Sequence, residues 1–185
     1  MSLTSRIARS VASLFRSPRR GGATTAPPRP SAGTRSPGPL VAGSSPGQSG
    51  PSATIEVDPA RIGRVRMSYA PVTDGDPDPG EIVWTWVPYE ERDGRGKDRP
   101  VLVVATERAG TLLAVALTSK PHSGDGDFVP IGAGGWDSQG RPSWVNLDRV
   151  FRVHPAGMRR EAALLARKPY EGVEVRLRAR YGWSV

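Results

Sequence analysis

Residues 100–105 (PVLVVA) and 111–118 (TLLAVALT) are almost unbroken apolar runs, set apart by a short polar turn that ends in Gly110. A strand with one wet face alternates apolar and polar residues. A strand covered on both faces does not. These two segments therefore predict adjacent strands buried on both sides, and the remaining elements must supply their cover.

The flanking segments fit that requirement. Residues 81–87 (EIVWTWV) are β-branched and aromatic and too short for a buried helix. Alternation puts Ile82, Trp84 and Trp86 on one face and Val83, Thr85 and Val87 on the other. The tryptophans are read as mainly structural. Residues 127–131 carry Pro130 and suit a sheet edge. Residues 143–153 (SWVNLDRVFRV) alternate, with Val145, Leu147, Phe151 and Val153 facing one way and Trp144, Asn146, Asp148, Val150 and Arg152 the other. Residues 156–167 contain strong helix formers and predict a helix. A last helix opens near Pro169, buries Tyr170, Val173, Leu177 and Tyr181, and stops at Gly182. A strand over 173–178 is the competing reading. The expected class is mainly β with a C-terminal helix, in a small, strongly bent β-barrel.

The net charge of +8 belongs mostly to the N-terminus. Residues 1–53 hold seven arginines and no Asp, Glu or Lys; removing these from the 26 basic residues leaves 19 against 18 acidic ones. This Pro-, Gly- and Ser-rich stretch predicts a disordered basic tail, because it cannot bury enough apolar surface to offset its ordering entropy. Leu3, Ile7, Val11, Leu14 and Phe15 recur at helical spacing, so residues 3–16 suggest a short amphipathic helix that touches an anionic membrane or nucleic acid. Residues 54–79 read as a linker with marginal structure, and 80–185 as the folded domain. The domain is nearly neutral, so any nucleic-acid binding must come from a local arrangement.

Several chemistries are closed. With Cys 0, disulfides, thiolate zinc sites and cysteine nucleophiles are excluded. His122 and His154 are too few for a His-rich metal site, so no metal and no cofactor are expected. No run reaches the length of a membrane span, and the N-terminus does not read as a signal peptide; a cytoplasmic protein is expected. The sequence has no phosphate-binding Gly–Lys–Ser/Thr loop and no Ser–His–Asp pattern.

What remains are isolated polar residues at the ends of apolar strands. The long charged loop 88–99 (PYEERDGRGKDR) delivers Arg99 to the mouth of a buried strand, where a guanidinium is well placed for a bidentate phosphate contact. Thr118 and Ser119 end the next strand, ahead of Lys120, Pro121 and His122; such hydroxyls also serve simply to bond a turn. Period two puts Asn146 and Asp148 on one face of the last long strand.

The succession GEIVWTWVP, charged loop, RPVLVVA, VALTSK, Gly-rich turn, SWVNLDRV, from Gly80 to about Trp183, resembles the PemK/MazF family of bacterial toxins. The resemblance implies an SH3-like barrel, a homodimer, an antitoxin partner and metal-independent cleavage of single-stranded RNA by attack of the ribose 2′-hydroxyl on the adjacent phosphorus. It implies catalytic roles for Arg99, Thr118 and Asp148. RNA contacts are expected from Ser119, Asn146, Lys97, Arg95 and His122. The base that takes the 2′ proton is open between Asp148 and His122. The family's Asp-Gln-x-Arg pattern is broken here, since Arg149, Val150 and Phe151 follow Asp148. The alternative is a non-catalytic relative that binds a protein partner such as gyrase or an antitoxin, as a gyrase poison of the same fold does.

Overall fold

The computed structural model describes residues 44–72 and 74–185. Seven strands and one helix follow in order: β1 (Ile55–Val57), β2 (Glu81–Pro88), β3 (Gly96–Thr106), β4 (Leu112–Thr118), β5 (Phe128–Gly132), β6 (Ser143–Val153), β7 (Met158–Leu164) and α1 (Arg167–Tyr181). All seven strands pair antiparallel, in the order β1-β6-β4-β3-β2-β7, with β5 added on β6, and one isolated parallel bridge joins Arg66 to Ser184. The mainly β class with a C-terminal helix is observed; the sheet is bent but does not close.

The two apolar runs behave as their composition requires. Leu102, Val104, Leu113, Val115 and Leu117 enter a core covered by Tyr170, Val173 and Leu177 of α1. Val101, Val103, Leu112, Ala114 and Ala116 enter a second cluster on the other face, with Val83, Val87, Phe151, Val153 and Met158. Both clusters are almost fully buried.

The alternation expected along the whole of β6 is broken. Val145 and Leu147 face the α1 core, and so does Val150, while Phe151 and Val153 face the other cluster. The pairing explains this: Val115 pairs Val150 but Leu117 pairs Val145, so two steps on β4 oppose five on β6. Such an irregularity reverses which face each later residue occupies.

The helix expected at 156–167 is instead β7. Ile82 pairs Ala163 and Thr85 pairs Met158, so this segment fills the open edge of β2. A free edge with unmet N–H and C=O groups outweighs a helix preference of tenths of a kcal/mol per residue. The last helix runs as expected, with Pro169 in its first turn and Gly182 at φ 69° receiving the chain, its N–H bonded to Arg178 O at 2.9 Å. The competing strand over 173–178 does not form.

The expected amphipathic helix at 3–16 lies outside the described residues. The described residues before 80 nevertheless join the domain. Trp86 N–H donates to Pro46 O at 3.1 Å. Thr85 Oγ1 donates to Gly157 O at 2.7 Å, so the Thr54 hydroxyl, 2.6 Å away, must donate to Thr85. Gly47 passes so close that a Cβ there would lie 2.4 Å from Thr85 Oγ1. Within 54–79, read from sequence as a linker, β1 pairs with β6, and Val65 and Met67 are buried in the α1 core.

Tyr170 ties that segment to the sheet. Its ring is buried, burial pushes its phenol pKa up, and its hydroxyl donates to Val104 O at 3.2 Å and to Ser68 O. Tyr170→Phe removes both of these hydrogen bonds and leaves Val104 O with the Ser68 N–H, at 3.4 Å. The variant is expected to lose about 1–2 kcal/mol in urea unfolding, seen as a lower midpoint at unchanged m-value.

Candidate functional site

The sequence suggested a twelve-residue loop at 88–99. The chain instead continues as a hairpin: Pro88 pairs Gly96, Val87 pairs Lys97, Trp86 pairs Asp98 and Thr85 pairs Arg99. Strand pairing needs only backbone groups, so charged side chains do not prevent it while they reach water. Arg99 is thus held inside a strand rather than at its mouth.

The next strand supplies its neighbour. The β3–β4 pairing ends at Val101–Ala116, and Arg99 and Thr118 lie two residues beyond it on the two strands. Thr118 in turn pairs Trp144, and Trp144 pairs Pro130. Arg99 and Thr118, distant in sequence, thus come to the same end of adjacent strands.

Both line a cleft of about 380 Å³, together with Lys97, Ser119, Lys120 and Trp84. Trp136 forms a fixed wall, its indole N–H donating to Ser143 Oγ at 3.1 Å. Two carboxylates also border the space, and each has a cation. Asp98 sits 3.3 Å from Arg159 Nη2. Asp137 accepts from Arg141 Nε at 2.9 Å, which holds its carboxyl below the usual range. Lys97, Arg99 and Lys120 have no ion-pair partner among the described residues. The cleft therefore carries uncompensated positive charge.

Burial, followed by repulsion from Arg149, lowers the pKa of Arg99, and the nearby Tyr89 and Glu90 oppose that. The group stays cationic at neutral pH, but it is partly stripped of water. Its field on an anion is correspondingly less screened. The Thr118 hydroxyl oxygen accepts from Lys120 N–H at 3.2 Å, which fixes its position. Its own proton remains available to donate into the cleft.

The other sequence candidates lie elsewhere. Asp148 does not line the cleft. It lies by Glu56 and Arg152, bonded to Arg180, which also grips Asp127 at 2.6 Å. Burial pushes the Asp148 pKa up against the pull of Arg180. Asn146 spends its side-chain oxygen on Asp148 N–H at 2.8 Å. His122 stacks on Phe128 at 3.5 Å between ring centres and approaches Asp125 at 3.6 Å. Arg95 bonds Asp93 at 2.6 Å. Lys97 and Ser119 alone join Arg99 and Thr118.

Sequence reasoning missed Lys120 as a cleft cation, though it follows Thr118 by two. It also missed Arg149, which appeared only as a departure from a motif. The Arg149 side chain is nearly buried. Its Nη2 donates to Glu56 Oε2 at 2.7 Å and to Pro88 O at 2.8 Å. It links β1 to the end of β2, beside Arg99, and no local sequence signal announces that junction. Among the described residues no cluster of His, Asp or Glu could hold a metal ion, and no helix is long and apolar enough to cross a membrane.

Comparison with known proteins assigns the family. The family model described as PemK-like, MazF-like toxin of type II toxin-antitoxin system matches residues 78–180. The match covers more than half the chain, and the protein belongs to that family. No curated protein sequence matches it. Among solved structures, a chain of the MazE–MazF complex (Form-II) from Deinococcus radiodurans is 23% identical, with 57% of this chain and 96% of that chain covered and a TM-score of 0.43. The Mycobacterium tuberculosis toxin MazF-mt6 is 16% identical over 56% of this chain and 99% of its own, with a TM-score of 0.40.

The Arg149–Glu56 junction has a pH signature. Arg149, aided by Arg92, holds the Glu56 pKa below its ordinary 4.5. A depressed folded-state value adds stability that is complete above the unfolded value and is lost as pH falls through the folded one. Between pH 6 and 3, Glu56→Gln is expected to show a shallower fall of melting temperature than the parent, measured by circular dichroism.

Proposed function

We propose that this toxin is an endoribonuclease that cleaves single-stranded RNA, with Arg99 and Thr118 as the catalytic pair. The ribose 2′-oxygen attacks the adjacent phosphorus, and the bond to the 5′-oxygen of the next nucleotide breaks. The products are a 2′,3′-cyclic phosphate and a 5′-hydroxyl end. The 2′ proton leaves to a base, and the departing oxygen takes up a proton.

The single observation that carries this reading is that Arg99 and Thr118, from adjacent strands, line one cleft of uncompensated positive charge. In-line attack builds negative charge on the non-bridging phosphate oxygens. A guanidinium on a backbone held by pairing with Thr85 opposes that charge. The Thr118 hydroxyl, its acceptor side anchored by Lys120 N–H, donates to the same phosphate and keeps it in line. Lys97 and Lys120 attract the neighbouring phosphates as point charges. Nothing in this set requires a metal.

Asp148 is bonded to Arg180 away from the cleft, and His122 is packed on Phe128. Water or a group on the RNA takes the 2′ proton in this scheme. The family also supplies the partner class: we expect a cognate antitoxin to neutralise the toxin, and two copies of the chain to form the active unit.

The test is incubation of the purified full chain with a mixed-sequence single-stranded RNA in EDTA. Wild type is expected to cleave and leave cyclic phosphate ends. Arg99→Ala is expected to slow cleavage by about 10²–10³-fold, the typical cost of one transition-state donor. Thr118→Val should lose roughly tenfold or more, mostly in kcat, since it removes one neutral hydrogen bond. A wild-type protein inert with and without divalent metal would instead favour a toxin that acts by binding.

A further inference from the structure

We propose a second, non-catalytic phosphate site, formed by Arg64, Arg66 and Arg108 at the end of the sheet opposite the cleft. The ligand class is a ribonucleotide phosphate, either free or carried by an RNA strand.

The local backbone aims these side chains. Residues 65–67 run beside Ser184: Met67 N–H donates to Ser184 O at 2.8 Å, and Ser184 N–H donates to Val65 O at 3.0 Å. Alternation along this short extended segment buries Val65 and Met67 and leaves Arg64 and Arg66 exposed. Arg108 comes from the tight β3–β4 turn, closed by Gly110 N–H on Glu107 O at 3.0 Å. All three border one concavity of about 640 Å³, whose floor includes the buried Val65, Ala105 and Leu113.

The charge here is unbalanced. Glu107 is the one acid bordering this concavity, and it is already committed. Arg152 bonds it twice, at 2.6 and 2.7 Å, and Thr111 donates to it at 2.6 Å. Arg64, Arg66 and Arg108 have no ion-pair partner among the described residues. Three guanidiniums around one hollow repel each other, and each presents a planar fork that matches phosphate oxygens. The apolar floor offers a nucleobase a dry face. Arg99 and Arg108 lie toward opposite ends of β3, so roughly 20–30 Å of strand separates this site from the cleft. Arg64 and Arg66 also fall outside the family-matched residues 78–180.

The test needs no cleavage, so it stands or falls separately from the nuclease reading. A triple variant, Arg64→Ser, Arg66→Ser and Arg108→Ser, alters only exposed side chains. Its folding is checked by its melting temperature against the parent. Calorimetric titration with 5′-AMP probes a free nucleotide. Fluorescence polarisation of a labelled twelve-nucleotide RNA, in an Arg99→Ala background across a KCl series, probes the strand. A free-nucleotide site predicts at least tenfold weaker 5′-AMP binding in the triple variant, with little change in the RNA salt slope. A strand site predicts a drop of about 2 in the slope of log K against log salt, since each lost single-strand phosphate contact contributes about 0.7. Either result supports the site. Unchanged 5′-AMP titration together with an unchanged RNA salt slope overturns it.

Discussion

The register between β3 and β4 governs the rest of the molecule. Both strands are buried on both faces, so a slip of one residue would exchange two complete sets of apolar side chains between two cores of different shape. The pairing is therefore fixed by packing along its whole length. Polar residues at the open end inherit that precision without contributing to it. Arg99 and Thr118 reach the same cleft because Val101 pairs Ala116 and Leu102 pairs Val115 next to them.

Positive charge in the cleft is achieved by subtraction. The residues around it include acids as well as bases, but Arg159 neutralises Asp98 and Arg141 neutralises Asp137. Lys97, Arg99 and Lys120 are left over. A similar accounting holds at the other end of the sheet, where Arg152 and Thr111 occupy Glu107 and three arginines remain unmatched. A nearly neutral domain can thus present two local anion-attracting surfaces, because potential depends on which charges are paired rather than on their total.

The described residues ahead of the family-matched region are built into the domain. Thr54 completes a hydrogen-bond chain through Thr85 to Gly157 O. Glu56 carries Arg149, and Arg149 holds the carbonyl where β2 ends. Val65 and Met67 fill the core under α1. These contacts couple the N-terminal segment to the hairpin that bears Arg99. In the proposed nuclease, that coupling would stiffen the strand pair that positions the guanidinium.

The apolar runs at 100–105 and 111–118, the terminal helix with its Gly182 stop, and Thr118 at a strand end could all be read along the chain. Each depends on local composition and on period two, which neighbouring residues carry by themselves. Other features needed the folded chain. Residues 156–167 favour a helix until the open edge of β2 offers their backbone better partners. The irregularity between Leu147 and Val150 becomes visible only against β4, and with it Asp148 falls beside Arg180, away from the cleft. Glu56 and Arg149 are 93 residues apart, and Val65 and Ser184 are 119 apart. No local pattern encodes such meetings, because they are set by which surfaces remain unsatisfied once the core has formed.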